Sequence, residues 1–472
     1  MSGPTIHDHI RAHLDPSGHG LLPGGAELPD EPTGGIRWAS GARDARPVLG
    51  RFGAGPDAGE LAGLVADALG GDPDDPGAPG YAALYEALTA GAAEPAGVAH
   101  LPSGPLHDLG VRLVTGARHR EPVRFGLGLL GADDTELLLL IGRHEEFTGA
   151  AAATIEATHA DAEPALLRLA DAVTGWGRIG VVERFGPGAG PGVRDWLLRG
   201  GFRNAVLDAY LAHRAATVGD LAAALSVPTV DGELLTAACD IVCALLDGGP
   251  AATLDDYADA PRALAALLTH LEAHPGELRH LVALARLDDY LADGGWPARY
   301  RRQWTIARHE ALVRRVRDLL ARPHWPALVA GGLTRPITFH DARQAARALD
   351  VDTFPALLDH VRAGAGDWPL LMAETTADRL PAVLALAAAT RLAPADLDTV
   401  VTALRAHPGH GVDLVLASLA SPVGRNRAMA VRTLVGWGPA AWAEAIQSAL
   451  RRAIAAEPDP ALRESMAQLL TG

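Results

Sequence analysis

The chain has 472 residues, about half of them apolar, with few aromatics and a formal net charge of −16. That length suffices for a large buried core. The charge argues against a surface that attracts nucleic acid or anionic membrane as a whole. All cations counted as Lys+Arg are arginines; together with abundant alanine and glycine this reflects a GC-rich coding genome.

The N-terminus "MSGPTIHDHIRAHL" has no apolar core segment of the kind a secretory signal carries, and no apolar run reaches bilayer-spanning length. The expectation is a cytoplasmic protein without membrane contact. Residues 1–100 contain "LDPSGHGLLPGGAELPDEPTGG" and "GGDPDDPGAPG", rich in turn-forming Gly, Pro and Asp. They are read as an irregular acidic cap with short helices at Ile6–Leu14, Leu61–Leu69 and Tyr81–Leu88.

In "FGLGLLGADD", Gly126, Gly128 and Gly131 match the spacing of a dinucleotide-binding loop. Such a loop requires a strand before it and a helix opening at its last glycine. Here "RHREPVRF" reads as a helix start and "ADDTELLLLI" as the start of another, so the match is assigned to chance.

From about Leu106 the pattern is helical throughout. Amphipathic segments of helix length alternate with short Gly, Pro or Asp punctuation. Asp231 is placed to cap the helix "GELLTAACDIVCALLD" and Gly248–Gly249 to end it. Pro164, Pro191, Pro261 and Pro460 stand near helix starts, where a missing N–H costs little. Cys239 and Cys243 share a face of that helix and read as buried thiols, not a disulfide.

"EEFTGAAAATI", "GWGRIGVVERF", "GFRNAVLDAYLA" and "GRNRAMAVRTLVGW" are self-similar, the first three at roughly 25 to 30 residues, against ~40–47 for HEAT and armadillo units. Over about three-quarters of its length the chain resembles the HEAT-like α-solenoid superfamily. The resemblance implies an all-α fold: a curved solenoid of helix pairs, with residues 101–293 and 294–472 as its halves and a flexure at "LADGGWPARY". It also implies an extended surface for a partner.

The strongest local anomaly is Trp296–Trp325, "WPARYRRQWTIARHEALVRRVRDLLARPHW". If helical throughout, it aligns Arg301, Arg308, Arg315 and Arg322 every seven residues, with Ile306, Val313, Val316 and Leu320 as the buried stripe. Trp296, Tyr300 and Trp304 interleave, a combination suited to phosphate contact and base stacking. These seven residues are the candidate binding site. The alternative is a solvated arginine face paired with acids of neighbouring helices. HEAT-like DNA alkyl-lesion glycosylases use a basic concave surface with tryptophans and a carboxylate, a fold-level analogy with no matching carboxylate here.

Histidines form further clusters. His270 and His274 stand one turn apart near Glu272, Glu277 and His280, and His9 and His13 share that spacing; both sets read as surface histidines, not ligands. His144–Glu145 and His309–Glu310 look like the His-Glu dyads of deoxyhypusine hydroxylase, a HEAT-repeat enzyme, but that pattern needs four. Trp176 and Trp437 occupy matching "GWG" steps and read as packing aromatics, with lining of a groove as the alternative for either. With no nucleophile elbow, P-loop or catalytic cysteine, the expectation is a non-enzymatic scaffold that binds a protein partner, without cofactor or metal. A nucleic-acid-binding protein is the alternative, and a metal enzyme built on the dyads a weaker one.

Overall fold

The computed structural model describes residues 3–30, 56–71, 77–249 and 251–471. Parts of both Gly/Pro/Asp-rich N-terminal stretches therefore lie outside the described residues. Among those described there is no strand; the chain is all-helical. It forms two compact units, Met1–Ala321 and Arg322–Gly472.

The first unit contains α1 (Ile6–Ala12), α2 (Ala58–Leu69), α3 (Pro79–Ala90), α4 (Ser103–Gly116), α5 (Arg120–Leu127) and α6 (Thr135–Gly142). It continues with α7 (Glu145–Thr158), α8 (Glu163–Ala172), α9 (Trp176–Val182), α10 (Pro191–Trp196), α11 (Ala209–Val218) and α12 (Leu221–Ala224). It ends with α13 (Gly232–Asp247), α14 (Ala260–Ala273), α15 (Leu278–Ala292), α16 (Trp296–Arg299) and α17 (Ile306–Leu320). The caps follow from side-chain chemistry. Asp57, Asp231 and Thr305 accept the N–H of the residue three positions on, and Gly248 turns α13 off at φ +66°. Pro164, Pro191 and Pro261 occupy the first or second position of α8, α10 and α14.

Packing in this unit has a regular order. Helices α3, α5, α7, α9, α11, α13, α15 and α17 contact one another in succession, while α4, α6 and α8 each lie against an adjacent member of that series. The N-terminal helices join the same core. Leu61, Val65, Tyr81, Leu84 and Leu88 cluster with Leu106, Leu109, Leu113 and Phe125, so α2 and α3 share a packed core with α4 and α5.

Two glutamates link alternate helices. Glu145, first in α7, accepts the N–H of Trp176 at the start of α9, and Glu163, first in α8, accepts the N–H of Gly190 before α10. Each satisfies a helix-terminal donor from a neighbour two helices away. The separations, 31 and 27 residues, sit close to the spacing of the self-similar segments. At the other end of α8, the buried Arg178 guanidinium donates to the carbonyls of Ala170, Asp171, Val173 and Arg203.

The three glycines of the dinucleotide-like match serve packing and turns. Gly126, inside α5, crosses Gly110 of α4 so closely that a Cβ there would stand 2.9 Å from the Leu113 Cβ and 3.0 Å from the Gly110 carbonyl oxygen. Gly128 abuts Pro95, and Gly131 donates its N–H to Asp134. Helices α4 and α5, and among the described residues no strand, precede the Gly128–Gly131 turn.

The second unit comprises α18 (Trp325–Leu333), α19 (Phe339–Arg347), α20 (Phe354–Arg362), α21 (Trp368–Ala373) and α22 (Leu380–Ala389). It is completed by α23 (Pro394–Ala403), α24 (Val412–Leu419), α25 (Gly424–Trp437), α26 (Glu444–Ala456) and α27 (Pro460–Thr471). Here α21, α23, α25 and α27 contact in succession, around a core that includes Phe339, Trp368, Leu371, Val400, Leu434, Trp437 and Ile446. Among the described residues no helix is long and apolar enough to cross a membrane.

Candidate interaction groove

The arginine–aromatic segment does not form one ridge. Helix α16 ends at Arg299 and α17 begins at Ile306, so Arg301 lies in the turn between them. Arg308 and Arg315 are on α17, and Arg322 opens the second unit. The buried stripe of α17 is Leu312, Val316 and Leu319, with Val313 and Leu320 only half-buried and Ile306 60 % exposed. An apolar residue in the first turn falls off the face set by the rest of the helix.

The aromatics of this segment are interior. Trp296 and Trp304 are buried and meet edge to face at 5.3 Å. Trp296 also stacks on His309, whose Nδ1 pairs with the Tyr300 hydroxyl at 2.6 Å and whose Nε2 pairs with the Leu291 carbonyl at 2.9 Å. Because a carbonyl only accepts, the Nε2 carries the proton and Tyr300 donates to Nδ1. Arg299 lies over the rings of Tyr290 and Trp296 and pairs with Asp255 and Asp293. Arg315 is anchored by Glu272, Thr269 and the Ala265 carbonyl. The stacking platform expected from the sequence is thus a knot that fastens α15, α16 and α17. Arg301 and Arg308 remain exposed, without ion pairs among the described residues.

The histidine clusters are likewise structural. His280 is fully buried, not at the surface; its Nδ1 accepts the Glu277 N–H and its Nε2 meets Thr236. His270 donates to the Leu225 carbonyl, His274 accepts the Gly276 N–H, and His9 and His13 bond to the Gly25 and His9 carbonyls. His144 is buried between the Glu146 N–H and the Ala26 carbonyl, and burial pushes its pKa down to about 4. Glu145 turns instead toward the backbone of Gly175, Trp176 and Gly177, with Gly175 leaving room for the carboxylate. Among the described residues neither His-Glu dyad joins a cluster of three ligand atoms. Cys239 and Cys243 have their thiols pushed up by burial, Cys243 to about 12, so both stay protonated.

A surface suited to a partner lies elsewhere in the first unit. A groove of about 690 Å3 runs across α5, α7, α9 and α11. Gly149, Ala150, Ala153, Gly177 and Gly180 are among the small residues that line it. Trp176 and Tyr210 line it as well, with ring centroids 5.3 Å apart, both only half-buried. The two "GWG" tryptophans therefore differ. Trp437 is buried with its Nε1–H donating to the Leu404 carbonyl, whereas Trp176 lines the groove.

The charges of the groove are unequal in availability. Arg124 is paired with Glu146 and Arg184 with Glu156. Glu121 and Glu183 also line it, and their carboxylates make no ion pair among the described residues. The groove thus offers an aromatic pair and two carboxylates without ion pairs among the described residues, with the Arg214 guanidinium donating to the Glu183 backbone carbonyl. A larger cavity, about 1580 Å3, borders α3 and α4, and part of its polar lining is engaged internally: Tyr85 bonds both His119 and the Arg118 N–H, and Arg112 covers the Tyr81 ring.

The "GWG" step and the small-residue run "GAAAATI" are the sequence signals of this groove. Glu121 and Glu183 have none, since one is an ordinary glutamate in the first turn of α5 and the other caps the end of α9. No protein-family model matches the chain, and no curated protein or solved structure matches it.

Proposed function

We propose that the chain is a HEAT-like helical-repeat scaffold, without chemistry of its own, that binds a basic, extended segment of a protein partner in the groove across α5, α7, α9 and α11. The solenoid reading is supported by the ordered succession of helix contacts and by the Glu145 and Glu163 links between alternate helices. Stacked helix pairs offer extended surfaces of this kind.

The observation that carries the binding reading is the Trp176–Tyr210 pair beside unpaired Glu121 and Glu183. Arginine or lysine side chains gain from aromatic faces and carboxylates together. An acidic chain also steers a basic ligand toward itself. A nucleic-acid ligand at the Trp296–Trp325 segment would meet exposed arginines such as Arg301 and Arg308 without the aromatic stacking that makes such surfaces effective, because Trp296 and Trp304 are buried.

The test compares proteins captured from the native lysate by the wild type and by a Trp176→Ala/Glu183→Arg variant. A stoichiometric partner lost from the variant, retained by Arg301→Ala/Arg308→Ala and released by salt supports the reading. A partner held equally by the groove variant, or nuclease-sensitive material in the eluate, contradicts it.

A further inference from the structure

We infer that the second unit binds a divalent metal ion of the zinc class between His340, His360 and Asp367. This site is independent of the groove. His340 stands in the first turn of α19, His360 in the last turn of α20, and Asp367 immediately before α21. The six residues between His360 and Asp367 reverse the chain through Gly364 and Gly366, whose φ values of +93° and +75° suit glycine. That reversal returns the carboxylate to the histidine just left behind.

Both imidazoles point one nitrogen at the same carboxylate oxygen. His360 Nε2 lies 3.1 Å and His340 Nε2 3.4 Å from Asp367 Oδ2, and all three ligand atoms fall within 4.8 Å of one another. Zinc–nitrogen and zinc–oxygen bonds of about 2.0–2.2 Å in a tetrahedron put neighbouring ligand atoms roughly 3.3 Å apart. Two edges of the triangle already have that length. The ring of His360 is held by a parallel stack on Phe339, with centroids 3.8 Å and planes 7° apart. Its side chain is nearly buried, whereas that of His340 is 58 % exposed, so the site opens to solvent on the α19 side.

Two imidazoles and one carboxylate favour zinc, cobalt, nickel or copper over the all-oxygen ions magnesium and calcium. Three protein ligands leave a coordination position for water or an exogenous group, as in zinc sites that exchange ligands.

The test uses the full-length protein stripped with a chelator and titrated with Co2+, followed by visible absorption and displacement with Zn2+. The expected result is one Co2+ per chain with the ligand-field bands of a low-symmetry site, displaced by Zn2+ but not by Mg2+. His340→Ala, at the exposed corner, and Asp367→Asn each weaken binding at least tenfold, while His410→Ala in the same unit leaves it unchanged. Circular dichroism of each variant shows that the helices are intact. Absence of stoichiometric binding to the wild type, or equal affinity in folded His340→Ala and Asp367→Asn variants, overturns the proposal and leaves the cluster as histidine–aspartate pairs alone.

Discussion

The imidazole of His309 lies flat on the indole of Trp296, with ring centroids 3.5 Å apart and planes 9° apart. A histidine one residue before Glu310 thus acts as a packing ring, with both nitrogens engaged by Tyr300 and Leu291. Truncating Trp296 to alanine is expected to destabilise the first unit by about 3–5 kcal/mol, the range for large buried aromatics. Arg301→Ala and Arg308→Ala are expected to stay within roughly 0.5 kcal/mol of wild type, as exposed changes do. Urea unfolding monitored by circular dichroism separates the two classes.

The glutamate links between alternate helices predict a second effect. Glu145→Ala strips the start of α9 of its acceptor, and Glu163→Ala does the same for α10. By analogy with cap removal, each is expected to cost on the order of 1–2 kcal/mol. Amide hydrogen exchange locates the loss: faster exchange in the first turn of α9 for one variant, and at Gly190 for the other. Exchange unchanged from wild type in either variant contradicts the linking role.

Two buried histidines set the acid sensitivity of the first unit. Burial holds His144 and His280 down to about 4, against an ordinary 6.5. Between those values the unfolded chain binds the protons and the folded chain does not, so stability is full above pH 6.5 and falls as pH drops toward 4. The loss is on the order of 3 kcal/mol per histidine at 1.36 kcal/mol per pH unit. Glu145, whose carboxyl burial pushes up, opposes this in part. Urea midpoints at intervals across this pH window are expected to fall with pH, and His280→Gln to flatten that fall. An unchanged slope in that variant contradicts the assignment.

The helices are largely legible in the sequence because caps and breakers act locally. Asp231, Gly248 and the prolines at 164, 191 and 261 all sit where their chemistry demands. The arginine segment misleads because a seven-residue spacing carries meaning only if the helix is continuous, and α16 and α17 are separated by a turn. Trp296 meets Tyr300 and Trp304 across that same turn, so their contact is a product of tertiary packing and not of helical spacing. The His340–His360–Asp367 cluster is not legible in the sequence at all. It depends on the reversal between α20 and α21 and on the placement of α19 beside that reversal, which are tertiary facts.

The most direct test of the central claim is a fluorescence-anisotropy titration of two labelled peptides of equal length, one rich in arginine and lysine and one rich in glutamate. The account predicts that the basic peptide binds, that salt weakens it, and that Trp176→Ala or Glu121→Gln/Glu183→Gln reduces its affinity at least tenfold. Failure of the basic peptide to bind, binding indifferent to those substitutions, or preference for the acidic peptide through Arg301 and Arg308 would contradict it.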